Sequence, residues 1–209
     1  KSFKEAGGEV ALELYPNLGA ADVAPYLTKI KGSMDKLDGV VAYLWSPTAI
    51  HFIKGYTEYG LKGKLPIFAH GATMDESFLP TMGDAALGVL SPDVWSRVLD
   101  NPENKRFIKA TQAAYKRRPS KSHELGYTAA KAVGEALKAI NGDIENQKKF
   151  LNALRKIRFR SPRGDVRFDD KQNVVVPVYV REVRQVNGVL ENVVIANFPD
   201  IDQFWTPKK

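Results

Sequence analysis

The sequence predicts an α/β protein with parallel sheets, and three observations carry that prediction. Strand-like and helix-like patterns alternate three times before residue 91, at spacings of roughly 25 to 30 residues, as βαβ units with right-handed crossovers require. Residues 40–45, VVAYLW, form an unbroken apolar run. Such a run reads as a strand buried on both faces, because a half-exposed strand would alternate apolar with polar residues. From residue 102 helical patterns follow one another without a strand, and strands then return. The chain therefore leaves one α/β lobe and comes back to it.

A short helical stretch opens the chain and ends at Gly7-Gly8, and residues 9–16, EVALELYP, read as a strand. Asp22 is placed to cap a helix running to about Leu37, with Val23, Tyr26, Leu27 and Ile30 as its apolar stripe. After the run at 40–45, Ser46-Pro47 starts a helix, since the hydroxyl can accept from an orphan N–H and proline at the first helical position loses no needed donor. Ala49, Phe52, Ile53 and Tyr56 share one face of it, and Gly60 supplies the positive φ that ends it. Residues 65–70 form the third strand, 75–82 a helix, and 88–90 a short fourth strand.

The helical block is clearest over 122–140. Leu125, Ala129, Ala132, Val133, Ala136, Leu137 and Ile140 follow helical spacing there, and Asn141-Gly142 stops the run. Asp143 can cap a further helix with Phe150, Leu151, Leu154 and Ile157 inward. Residues 165–168 make a short strand. Residues 174–184 make another, with Pro177 inside it, so that part should lie at an edge, a bulge or a crossing. Asn187-Gly188 is the turn of a final hairpin of type I′. The tail can form one helical turn.

The 209 residues, 44% apolar, allow a sizeable core. There are no cysteines, which removes disulfides, zinc thiolates and a thiol nucleophile. No apolar run approaches the roughly 20 residues that span a bilayer. The net charge of +7 raises polyanionic partners. The basic residues, however, gather at Lys116-Arg117-Arg118, where cations complement a helix C-terminus, and over 148–163, along a polar helix face and a loop. No nucleic-acid module accompanies them, so they read as solvated surface. The histidines are His51, His70 and His123. G-x-S-x-G, H-E-x-x-H and P-loop motifs are all absent, and a Ser46–His70–Asp75 triad would need a strained elbow that Ser-Pro does not build. The reading is therefore not an enzyme, with no metal and no cofactor.

Several pieces in order resemble the type I periplasmic solute-binding proteins, the branched-chain-amino-acid class that feeds ABC transporters. They are AGGEV (6–10), Asp22 with Lys29-Ile30, DGVVAYLWSP (38–47) leading through EYGLKGKLPIF (58–68), GDAALGV (83–89), GYTAAKAV (126–133) and RGDVRFDDKQN (163–173). The resemblance covers nearly the whole chain and implies a two-lobed receptor closing on a small molecule. It also implies that this chain is the carboxyl-terminal portion, with the N-terminal half of the fold outside it and a signal peptide upstream. Residues 1–91 with 177–209 would form lobe two and 92–176 part of lobe one. The hinge crossings would fall at Ser91-Pro92 and at Val176-Pro177.

Carried onto this sequence, the resemblance puts Trp45 and Ser46 at the ligand cleft, at the carboxyl end of a parallel strand where open α/β sheets bind ligands. Trp45 would offer a broad apolar face with one N–H donor. The second contact loop starts at His70-Gly71-Ala72. Amino-acid-binding relatives often place a carboxylate there for the ligand ammonium. Here a histidine stands instead, with Asp75 and Glu76 later. A neutral histidine suits an ammonium poorly, while an N–H-donating one suits a carboxylate. Gly71 and Ala72 would allow close approach. The expected function is a periplasmic or extracellular solute receptor that delivers a neutral amino acid or an aromatic or aliphatic carboxylate to an ABC permease. A sensing domain of the same fold is the alternative. Between the ligand classes the resemblance favours the amino acid, unless both Asp75 and Glu76 turn away from the cleft.

Overall fold

A computed structural model describes residues 2–45 and 47–205. The elements in order are α1 (Ser2–Glu5), α2 (Ala24–Gly32), β1 (Val40–Ala42), α3 (Thr48–Glu58), β2 (Ile67–Ala69), α4 (Leu79–Met82), β3 (Leu90–Asp93) and α5 (Pro102–Tyr115). Then follow α6 (Lys121–Ala139), α7 (Gln147–Lys156), β4 (Arg158–Ser161), β5 (Gly164–Phe168), β6 (Val174–Val186) and β7 (Val189–Ile201). The chain is α/β, and it divides into two compact units. The first comprises residues 1–91 with 185–190, the second 92–184 with 191–209.

In the first unit β1 and β2 pair in parallel, with Val40 opposite Ile67 and Ala42 opposite Ala69, and β2 pairs in parallel with β3 at Phe68 and Leu90. The α3 face expected from the sequence is the packed one: Ala49, Phe52, Ile53 and Tyr56 are all buried. Gly55, on the same helix, is there for space, since a Cβ would come within 2.5 Å of Leu27 on α2. Gly60 has φ 70, and the turn it makes sends the Leu61 N–H back to the Tyr56 carbonyl. Helix α2 has Val23 at its N-cap, one residue after the expected Asp22, whose side chain accepts from the Ala24 N–H at 2.9 Å. It stops at Gly32, and residues 34–36 form a separate tight turn.

Three expectations in this unit are corrected. Residues 9–16 carry no regular hydrogen-bonded structure, so EVALELYP is not a strand. The strand at 40–45 ends at Ala42 and is not buried on both faces. Val41 is 79% exposed while Ala42 is buried, so the apolar run alternates in burial although not in composition. Its cross-strand partner Phe68 is likewise exposed, giving this face of the sheet a bare apolar pair. The helix expected over 75–82 is confined to Leu79–Met82, because Asp75 closes a turn on Ser77 instead of capping a helix.

In the second unit β4 and β5 form a hairpin, with Phe159 opposite Val166, and β5 pairs antiparallel with β6 at Phe168 and Val174. Strand β4 was not foreseen. Pro177 lies inside β6 and its ring packs on Gly164, where an added Cβ would sit 3.1 Å from the proline Cγ. The Asn187-Gly188 turn has φ 49 and 78, the two left-handed residues a type I′ turn demands. Helix α6 begins and ends as expected, but its packed face is rotated. Glu124, Thr128, Ala132 and Ala136 are buried, whereas Leu125 and Val133 are exposed. The cause is Arg163, whose guanidinium draws Glu124 inward. Helix α7 is capped by Asn146 accepting from Lys149 N–H at 3.0 Å; Asp143 pairs with Lys149 Nζ instead. Leu151 is exposed, against expectation. Strand β7 runs on to Ile201, where a helical tail was expected, and residues 206–209 lie outside the described set.

The first contact boundary falls between Ser91 and Pro92. On the carboxyl side the units divide at 184/185 and 190/191, so residues 177–184 and 191–209 group with the second unit and differ from the expected division. Val176 and Pro177 are buried within that unit. Strand β6 is continuous past the proline, so the residue removes one donor without turning the chain aside.

Candidate functional site

The loops leaving β1 and β2 at their carboxyl ends are tied together. Thr73 Oγ1 accepts from the Leu44 N–H at 3.0 Å and its hydroxyl donates to the Leu44 carbonyl at 2.8 Å. The His70 N–H donates to the Ala42 carbonyl at 2.8 Å. Parallel pairing thus continues past β1 and β2 through one buried threonine, and the residues on either side of Leu44 are held at the sheet end. Tyr43 and Trp45 flank it and project their rings outward, 61% and 50% exposed.

The Tyr43 and His70 rings lie 4.2 Å apart between centroids with their planes tilted by 44°, and Tyr43 meets Trp45 edge-on at 6.1 Å. Three aromatic rings therefore make one wall, its order fixed by sheet geometry: Tyr43 from the first loop, His70 from the second. The second loop then coils back, with Thr73 N–H bonded to the His70 carbonyl and Ala72 N–H bonded to His70 Nδ1 at 3.1 Å. Gly71 is buried and Ala72 half-buried.

Two acids follow in the same loop. Asp75 is buried, and its Oδ1 accepts from the Ser77 N–H at 2.9 Å and from the Ser77 hydroxyl at 2.5 Å. Glu76 is buried as well, at 1% exposure. Asp75 Oδ1 is thus committed to Ser77 and His70 Nδ1 to the Ala72 N–H.

Of the expected contact residues, the structure brings Trp45 and His70 to one sheet end through Tyr43, and Gly71 and Ala72 follow His70 in the second loop; Ser46 lies outside the described residues. Sequence reasoning missed Tyr43 and Thr73. Tyr43 was hidden in a run read as buried strand, although a tyrosine two positions before the strand-end tryptophan must share its face. Thr73 carried no signal, because its partner is 29 residues away. A groove of about 710 Å³ in the same unit adjoins the wall and is lined by Tyr43, Trp45, Val41 and residues 10–18. In the second unit a charged hollow is lined by Arg158, Phe159, Arg160, Asp165, Val166, Arg167 and Asp200. Among the described residues no cluster of His, Asp and Glu could hold a metal ion, and no helix is long and apolar enough to cross a membrane.

Residues 1–188 match the family described as "Periplasmic binding protein". The chain is similar to Leu/Ile/Val-binding protein homolog 6 of Brucella suis biovar 1, at 32% identity over 94% of this chain and 51% of that protein. Among solved structures it resembles an ABC transporter substrate-binding protein from Sphaerobacter thermophilus, with TM-score 0.91 and 36% identity over 96% of this chain and 55% of that one. It also resembles a solute binding protein of an ABC transporter from Rhodopseudomonas palustris BisB5, solved with 3,4-dihydroxy benzoic acid (TM-score 0.87, 30% identity, 97% and 55% covered). The chain spans about half the length of the curated relatives it matches. With the strand and helix order, the type I fold and these likenesses in agreement, the chain belongs to the periplasmic binding protein family.

Proposed function

We infer that the protein is the solute receptor of an ABC importer and that it takes a small carboxylic acid with an aromatic body, which it hands to a membrane permease outside the cytoplasm. The observation that carries the ligand class is the chemistry of the sheet end. An ammonium that is buried on binding needs a carboxylate, since an unpaired buried charge costs several kcal/mol. Asp75 is spent on Ser77 and Glu76 is packed away, while Tyr43, Trp45 and His70 present rings. Rings stack on rings. The relative solved with a dihydroxybenzoic acid supports the same class.

The amino-acid reading keeps one support, the name of the Brucella homologue, and it is the second reading here. Ser46, Gly71 and Ala72 complete the proposed contact set. Ser91-Pro92 is the proposed joint for closing, since it lies at a boundary between the compact units. Calorimetry on the intact protein tests the class. Binding of 4-hydroxybenzoate, weakened at least about tenfold in Trp45→Ala by the loss of stacked area, is expected. Leucine binding with no response to either aromatic acid or Trp45→Ala would overturn it.

A further inference from the structure

Residues 158–168, RFRSPRGDVRF, carry four arginines, and the hairpin of β4 and β5 sends them to two places. Arg163, in the turn, is buried and pairs with Glu124. The other three share an outer face. Side chains alternate along a strand, so Arg158 and Arg160 lie on one face of β4, and Asp165 and Arg167 on the same face of β5. The register sets Arg158 opposite Arg167 and Arg160 opposite Asp165. From the other face Phe159 and Phe168 pack against Ala132 and Ala136 of α6.

Like charges directly opposite each other in a sheet repel, and the acids present answer them loosely. Arg160 reaches Asp165 at 3.4 Å, and Arg167 reaches Asp200, near the end of β7, at 3.8 Å. A guanidinium that grips a carboxylate closely does so at roughly 2.7 to 2.9 Å. Arg160 and Asp165 are 82% and 79% exposed, so water screens their contact and it exchanges easily. Among the described residues the Arg158 guanidinium has no ion pair and no hydrogen bond. These side chains surround a hollow of about 530 Å³.

The frame of the hollow is tied down. Asn101 Nδ2 donates to the Pro162 carbonyl at 3.0 Å, the Tyr179 hydroxyl to the Arg163 carbonyl at 2.8 Å, and the Ser161 hydroxyl to the Gly164 carbonyl at 3.2 Å. Strand β4 pairs with β5 alone and so ends the sheet. An extended segment laid along it would carry alternate side chains roughly 6.5 to 7 Å apart, which is also the spacing of Arg158 and Arg160.

We propose that the outer face of the β4–β5 hairpin is a docking surface for an extended acidic segment of a partner protein. Carboxylates two residues apart on that segment are received by Arg158, Arg160 and Arg167, in place of the loosely held Asp165 and Asp200. Charge complementarity and spacing select this occupant, since a lone phosphate has no spacing to match and a lipid surface fixes none. The proposal concerns a face of the second unit and does not depend on which solute the protein takes.

The test uses the intact protein and a fluorescein-labelled peptide of alternating glutamate and threonine, read by fluorescence polarisation. Binding should weaken as salt rises, because exposed charges are screened. At low salt Arg158→Gln with Arg167→Gln should weaken it about tenfold. Lys109→Gln with Arg117→Gln, which removes the same charge elsewhere, should change it by less than about twofold. Asp200→Asn should strengthen binding about threefold, a gain that a misfolded variant does not imitate, whereas Glu58→Gln should not. Asparagine tolerates the left-handed backbone of Asp200, φ 54. No binding at low salt, or equal losses in the two double variants, would overturn the proposal. So would equal affinity for a peptide of the same composition with its glutamates in one block. Displacement of the peptide by inorganic phosphate, or by phosphatidylcholine vesicles containing phosphatidylglycerol, at lower concentration than unlabelled peptide requires would also overturn it, assigning the face to phosphate or to lipid.

Discussion

The two units solve the same packing problem with different chemistry. In the first, the core is apolar: Leu27, Ala49, Ile53, Leu61, Met74 and Leu79 are wholly excluded from solvent. Its long-range polar bonds are largely neutral, as in the Thr73 clasp on Leu44 and the Tyr56 hydroxyl bonded to the Leu65 carbonyl at 3.0 Å. The second unit buries arginines. Arg163 pairs with Glu124, which also accepts from Thr128; Arg97 and Arg118 share Glu191; Arg181 and Lys121 share Asp93, at 3.1 and 2.7 Å. Arg181 donates as well to the Trp95 carbonyl at 2.7 Å. Helix α6 shows the reason. Its inward face offers small residues and a carboxylate, so charge fills volume that leucines fill in the first unit.

The difference bears on how each unit fails. Removing one partner of a buried pair leaves the other desolvated and uncompensated, whereas replacing both with apolar groups is often neutral or stabilising. Removing a neutral clasp costs less and acts locally. The unit with the aromatic wall can therefore lose a polar bond and shift its loops, while the other unit answers with its whole core.

The largest expected effect is in the second unit. Glu124→Ala should destabilise the protein by about 3 to 5 kcal/mol, because Arg163 is then buried without a counter-charge. The double variant Glu124→Leu with Arg163→Met should recover most of that loss in denaturant midpoint. Equal losses in single and double variants would show that the pair is not what holds α6 in place.

A middle effect is expected at the sheet end. Thr73→Val keeps volume but deprives Leu44 of both its bonds, at about 1 to 3 kcal/mol. Because Leu44 stands between Tyr43 and Trp45, tryptophan fluorescence and ligand affinity should change together. A change in stability with affinity intact would separate the clasp from the site.

The smallest effect concerns a surface pair. A hydrogen bond from Lys131 holds the Glu103 carboxyl below its ordinary value of 4.5, aided by the charges of Lys131 and Arg106. A lowered carboxylate adds stability that is complete above the unfolded value and disappears as pH falls through the folded one. Wild type should therefore exceed Glu103→Gln by under about 1 kcal/mol near neutrality, with the gap closing below about pH 4.5. A gap that widens in acid would reverse the sign assigned here.

How much of this was legible depended on how far each partner lies along the chain. Local rules read well. Gly60, the Asn187-Gly188 turn and both ends of α6 obey constraints held within a few residues. The packed stripe of α3 was legible too, since one unbroken helical face carried it. The stripe of α6 was not, because Arg163 lies 39 residues from the Glu124 that it draws inward. Composition suggested Leu125 and Val133, and an ion pair overrode it. Strand β4 was missed although RFRSPRGDVRF alternates about a Pro-Arg-Gly turn, which is the signal that finds such a hairpin. In the candidate site Trp45 and His70 were legible from their places after strands. Their joining through Tyr43 was not, since a six-residue apolar run conceals which of its side chains are bare.

The central claim is that the aromatic sheet end takes an aromatic acid. Mass spectrometry of the intact protein, sprayed from volatile buffer and then denatured to release whatever it retained, tests this most directly. A released anion with the mass of a benzoate or hydroxybenzoate, absent when Trp45→Ala is treated the same way, is the result the account predicts. Leucine, isoleucine or valine released from both proteins would contradict it.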